Sequence, residues 1–91
     1  MFNFNLTDEL KSIIEKLAKK DKKRTEIINK KIKQIISSDS VSIQHYKNLR
    51  HDLKDFKAVH IDSSFVLVFN IDLKNNFILF VDFDHHDKIY K

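Results

Sequence analysis

The sequence predicts an α+β fold: an N-terminal strand, a two-helix hairpin, then a three- or four-stranded antiparallel meander with the helices on one face of the sheet. Three observations predict it. Apolar residues recur at helical spacing from Leu10 to Ile36. Apolar runs broken by short polar turns follow from Phe56 to Phe83. No linker, repeat or low-complexity tract interrupts the 91 residues, so a single domain over 1–91 is expected.

Each element has its own signal. Phe2, Asn3, Phe4, Asn5 and Leu6 alternate with the period of a short half-buried strand. Thr7 can cap a helix, and Asp8 and Glu9 suit a first turn, where the peptide dipoles leave partial positive charge. Leu10, Ile13, Ile14, Leu17 and Ala18 then share a helical face. Asp21 is a second candidate cap, and Ile28, Ile32, Ile35 and Ile36 mark the buried stripe of a second helix ending near Ser37 or Ser38. Residues 39–55 are polar and read as irregular. Phe56 to Ile61 reads as a strand and Asp62-Ser63-Ser64 as a turn. Phe65 to Ile71 is almost continuously apolar, as befits a central strand covered on both faces. Asp72 to Asn76 turns the chain again, Phe77 to Phe83 is the next strand, and Lys88 to Tyr90 is expected to add a short final one.

Composition narrows the chemistry. Cysteine, glycine and proline are all absent. Thiolate nucleophiles, disulfides and Gly-rich phosphate loops are thereby excluded. No apolar run approaches the roughly 20 residues that span a bilayer, and the first residues lack the basic-then-apolar order of a signal peptide. A soluble cytoplasmic protein is expected. The net charge of +4 is unevenly spread: residues 1–50 carry 12 basic and 6 acidic side chains, and residues 51–91 carry 5 and 7. The basic half suits either a solvated helix face or a polyanionic or acidic partner.

The meander gathers functional groups. Its first strand runs one way, the second returns, and the third repeats the first direction. His60, Ser64, Phe65, Asp82, Asp84, His85 and His86 should therefore converge at one edge of the sheet. Imidazoles beside carboxylates form a candidate acid/base site, because histidine exchanges protons near neutral pH. Phe65 and Tyr90 flank the histidines, where a ring can stack on a nucleobase. A shared metal ion is disfavoured, since alternation sends neighbouring strand residues to opposite faces.

The stretch His45 to Phe69, HYKNLRHDLKDFKAVHIDSSFVLVF, and the closing Asp82 to Tyr90, DFDHHDKIY, resemble the RelE/ParE superfamily of toxins from toxin–antitoxin pairs. The former looks like that family's polar loop, first meander strand, tight turn and central strand; the latter looks like its last strand and aromatic-ended tail. Within the superfamily the histidines are most similar to those of the YafQ-type ribosome-dependent RNases. A histidine on the first meander strand matches His60, an acidic–aromatic pair matches Ser64 and Phe65, and a histidine followed four residues later by an aromatic ring matches His86 and Tyr90. Ser64 departs from the usual acid, Val66 stands where RelE has an arginine, and the polar-loop histidine has only Lys47 nearest, with His45 and His51 close by.

The resemblance implies a type II toxin, an endoribonuclease that cuts mRNA on the ribosome by metal-independent acid/base chemistry and so inhibits translation. Its partners would be a cognate antitoxin, mRNA and the ribosome, with no membrane and no cofactor. His60 and His86 are then the acid/base pair, and His85 and Asp84 further catalytic candidates. Lys47, Arg50 and Lys57 would neutralise phosphate, and Phe65 and Tyr90 would hold bases. Lys19, Lys20, Lys22, Lys23 and Arg24 would contact ribosomal RNA or an acidic antitoxin. The alternatives are a gyrase-directed toxin of the same fold and a non-catalytic nucleic-acid-binding module.

Overall fold

The computed structural model describes residues 1–50 and 53–90. Strand β1 spans Asn3–Leu6. Thr7 follows as helix cap, its Oγ1 accepting the Leu10 N–H at 3.2 Å. Helix α1 runs Asp8–Lys20, and helix α2 runs Lys22–Ile36. Asp21 alone joins them. Its backbone N–H donates to the Leu17 carbonyl at 2.7 Å, and its carboxylate accepts the Arg24 N–H at 3.0 Å. One residue thus ends one helix and starts the next without glycine.

Four further strands follow: β2 (Asn48–Arg50), β3 (Leu53–Ile61), β4 (Phe65–Asp72) and β5 (Phe77–His85). They form one sheet in the order β1-β5-β4-β3-β2. β2 through β5 are an antiparallel meander, and β1 returns to pair with β5 in parallel. The turns use Asp62 and Asn76, which take positive φ of 64° and 53°. Short polar side chains tolerate this left-handed region best after glycine.

Two expectations are corrected. Residues 39–55 are not wholly irregular: a 3₁₀ turn spans Ser42–His45, β2 follows, and β3 begins at Leu53. Ladder pairing makes these strands, which no apolar period announces. The end of the chain is also no strand. It forms a short helix α3, His86–Ile89, capped by the His85 side chain.

The core lies between the helices and one face of the sheet. Leu10, Ile28, Ile35, Ile61, Leu67, Phe69, Ile78 and Phe80 are fully buried there. Each such side chain contributes about 1.5–3 kcal/mol of transfer free energy. The other face carries a smaller cluster of Ala58, Val66 and Val68, partly roofed by Leu49, Phe56, Val81, Ile89 and Tyr90. The tail, with α3, therefore folds back over the face free of helices α1 and α2 (hereafter the helix-free face), and this explains why β4 is apolar on both sides.

Candidate active site

Three devices fix the histidine end of the sheet. His60 follows Ala58 by two residues on β3 and so lies on the helix-free face, where it is exposed. The His86 backbone N–H donates to the Ser64 carbonyl at 2.8 Å, tying the start of α3 to the β3–β4 turn. Ile89 and Tyr90 pack on the Ala58–Val66–Val68 cluster and hold α3 down. The result is a row of rings. His60 and His86 stack with centroids 5.7 Å apart and planes 19° from parallel, and Tyr90 lies 5.0 Å from His86. His60, His86 and Tyr90 thus adjoin one another in space.

The predicted convergence is otherwise divided between the two faces. Phe65 pairs with Ile61 and His85 and looks toward the helices. Its ring stacks on Phe83 at 5.2 Å, meets His85 edge-on at 5.6 Å, and lies under the Arg24 guanidinium at 4.4 Å. Arg24 also pairs with Asp21 at 2.9 Å and Asp62 at 3.2 Å. Phe65 and Arg24 are therefore engaged within the fold, on the far side of the sheet from His60 and His86. Asp62 gains from this arrangement. The Ser63 N–H and then the Arg24 guanidinium hold its carboxyl below the ordinary value of 3.8.

A bulge decides which residues of β5 join each face. Val68 pairs with Asp82 and Phe69 with Phe80, which leaves Val81 as the extra residue. Phe80 and Phe83 consequently share the helix-facing side. The three-residue spacing of these phenylalanines was the sequence signal, because simple alternation cannot bury both. The same phase change puts His85 with Phe65 and puts Asp84 opposite Val66, in one row with His60.

The remaining candidates separate by register. The Ala58 N–H donates to the Lys47 carbonyl at 2.9 Å, and Asn48 pairs with Lys57. Lys47 therefore stands opposite Ala58, diagonal to His60 at about 7–8 Å between backbones. Lys57 is buried, with its Nζ donating to the Gln44 carbonyl at 3.1 Å and Asn48 Oδ1 at 2.6 Å. It staples the 3₁₀ turn to the sheet. Arg50 pairs with Leu53, about 23 Å along the strand from His60. The carboxylates of Asp82 and Asp84 accept the backbone N–H of Phe83 and His85 at 2.8 and 2.7 Å. His45 shares a cleft with Gln34, Ser38, Ser42 and Tyr46, away from the ring row, and His51 lies outside the described residues. Lys19, Lys20, Lys22 and Lys23 are exposed. Among the described residues no group of three histidine or carboxylate side chains is placed to hold a metal ion, and no helix is long and apolar enough to cross a membrane.

One residue absent from the sequence-based site is Asp87. Its Oδ1 lies 3.4 Å from His86 Nδ1, and its backbone N–H donates to His85 Nδ1 at 3.3 Å. Its place one residue after His86 carried no periodic signal.

No family model matches the chain, and no solved structure matches it. Two curated proteins do, over nearly its whole length. A protein of Methanocaldococcus jannaschii named "Putative toxin RelE4" is 52% identical over 91 residues, covering 100% of this chain and 93% of its own. An uncharacterized protein of Methanosarcina mazei is 46% identical over 90 residues, covering 99% of this chain and 100% of its own. The strand, two helices and antiparallel meander, together with full-length identity to a RelE-named toxin, make this chain a member of the RelE toxin family.

Proposed function

We propose that the protein is the toxin of a type II toxin–antitoxin pair and an endoribonuclease that cleaves mRNA on the ribosome. The observation that carries this reading is the stacked His60–His86 pair with Tyr90 beside it, exposed on the helix-free face of a RelE-family fold. RNA carries its own nucleophile, the 2′-hydroxyl. One imidazole takes the 2′-hydroxyl proton as the oxygen attacks phosphorus. The other donates a proton to the departing 5′-oxygen, which leaves a 2′,3′-cyclic phosphate. Lys47, diagonal to His60, is suited to the phosphate charge that grows in the transition state. Tyr90 offers a face for a base. Phe65 has no part in this version, since its ring is occupied by Arg24 and Phe83.

The exposed lysines of the α1–α2 junction supply a non-specific attraction for ribosomal RNA or for an acidic antitoxin. Ribosomes programmed with a defined message test the reading. Wild-type protein should produce new 3′ ends carrying cyclic phosphate in the decoding site, and His60→Ala and His86→Ala should each slow this strongly. An intact message with inhibited DNA supercoiling would favour a gyrase-directed toxin instead. Full cleavage by both variants would remove the histidines from the mechanism.

A further inference from the structure

We propose that Asp87 is a positioning residue for His86, holding the imidazole through Nδ1 so that Nε2 is the atom that exchanges a proton with RNA. The inference rests on the reading of His86 as half of an acid/base pair, and it assigns a working atom that the pair alone leaves open.

The geometry is a short chain of contacts around one carboxylate. Asp87 Oδ1 is 3.4 Å from His86 Nδ1, and Oδ2 is 3.7 Å from His85 Nδ1. The two imidazoles do not compete equally for it. His85 Nδ1 already accepts the Asp87 backbone N–H at 3.3 Å as the cap of α3. A nitrogen that accepts there has its lone pair committed, so neutral His85 carries its proton on Nε2. The approach of Oδ2 to it is then no hydrogen bond. His86 is the partner left for the carboxylate. An ionised carboxylate only accepts, so the contact requires a proton on His86 Nδ1 and leaves the Nε2 lone pair facing away from Asp87. Stacking on His60 and contact with Tyr90 set the plane of the ring, and Asp87 selects, of the two flips about Cβ–Cγ that share this plane, the one with Nδ1 beside the carboxylate. The cap also fixes Asp87 itself, because the hydrogen bond to His85 anchors its backbone. Two adjacent histidines thus take opposite tautomers for a stated reason.

The effect is modest. Asp87 is 83% exposed in its side chain and the contact is long, so its loss should lower cleavage about tenfold. A buried triad aspartate contributes about 10⁴-fold by the same device.

Imidazole ¹⁵N spectra of the whole protein at a pH where the rings are neutral test the assignment directly. Wild-type His86 should show an excess of the Nδ1–H tautomer and His85 the Nε2–H tautomer. Asp87→Asn should move His86 toward Nε2–H, because the carboxamide can donate to Nδ1, and should leave His85 unchanged. Cleavage on programmed ribosomes should fall about tenfold in Asp87→Asn and recover in part in Asp87→Glu. A merely structural role in the first turn of α3 would not move the tautomer. An unaltered His86 tautomer in Asp87→Asn, or unaltered cleavage, overturns the proposal. A tautomer that moves in a protein whose wild type cuts no message overturns the nuclease reading and Asp87's part in it, while the contact itself stands.

Discussion

At the histidine end of the sheet, the helix-covered side carries Phe65, Phe83 and His85 beneath Arg24, and the open side carries His60, His86 and Tyr90. The two sets contain the same kinds of residue and lie within a strand's thickness of each other. On the covered side every ring has a protein partner. Phe65 is filled on one face by a guanidinium, and the His85 Nδ1 lone pair is spent on a helix cap. On the open side His60 and His86 stack on each other and are otherwise exposed, while Tyr90 is half-buried against Ala58, Val66 and Val68. Residue type and proximity therefore do not separate chemistry from scaffolding here. The proposed function separates them by the face of the sheet, which the β3–β4 register, the bulge at Val81 and the turn into α3 set.

The sharpest way to break this comparison is to truncate the two adjacent histidines. His86→Ala should lower message cleavage about 10²- to 10⁴-fold, the usual range for one general acid or base. Its stability in urea should change little, because His86 is exposed. His85→Ala should lower cleavage only several-fold, through a loosened α3, since a lost cap costs about 1 kcal/mol. The His60→Ala/His86→Ala double variant should be hardly worse than either single one, because groups that act as a unit are not additive. Equal losses for His85 and His86 would merge the two faces into one site.

On the covered side the larger effects should be on folding. Phe65→Ala removes a half-buried ring that contacts Phe83, His85 and Arg24, and should cost about 2–3 kcal/mol, somewhat below the value for a fully buried phenylalanine. Cleavage per folded molecule should survive. Arg24→Lys should cost about 1 kcal/mol, since an ammonium cannot lie flat on Phe65 while reaching both Asp21 and Asp62. Urea unfolding checks both. A Phe65→Ala protein of native stability that has lost cleavage would return Phe65 to the substrate.

Much of the fold was legible because periodicity carries it. Thr7 and Asp21 serve as the caps their positions suggest, and the apolar stripes of α2 and β4 are buried as spaced, whereas in α1 Leu10 is buried, Ile13, Ile14 and Leu17 are half-buried and Ala18 is exposed. What could not be read depends on long-range pairing. β2 is polar, and it exists because its backbone pairs with β3 while Lys57 fastens the preceding turn to it. Lys57 and Arg50 look like phosphate ligands in sequence, where nothing reveals that one is buried and the other lies far down the strand. The final residues look extended because Ile89 and Tyr90 are apolar and aromatic. They form a helix because Val66 and Val68 on the open face need cover and the His86 N–H finds the Ser64 carbonyl. The nearness of His60 to His86 was legible, since hairpin direction alone brings the two together. Which aromatic accompanies them turned on the β3–β4 register, which sets Phe65 opposite Ile61, and on the fold of α3, which brings Tyr90 over.

The smallest predicted effect concerns Asp62, which joins the two sides because it forms the turn that bears Ser64 and also pairs with Arg24. Its carboxyl is held below 3.8 by the Ser63 N–H and by Arg24. A carboxyl whose value is lowered on folding adds stability above its unfolded value, and that contribution disappears as pH falls through the folded value. Asp39 and Asp72 are lowered similarly by the Ser42 N–H and by Asn75, so acid destabilisation of the wild type reports all three. Asp62→Asn isolates one of them. Asparagine tolerates the same positive φ, so the variant loses charge while keeping the turn. The urea midpoint of Asp62→Asn should fall below that of wild type at about pH 7, and the gap should narrow as pH falls through the folded value of the wild-type carboxyl. A gap that persists unchanged in acid would assign the role of Asp62 to the shape of the turn, and the coupling of Arg24 to the histidine end would then run through Phe65 alone.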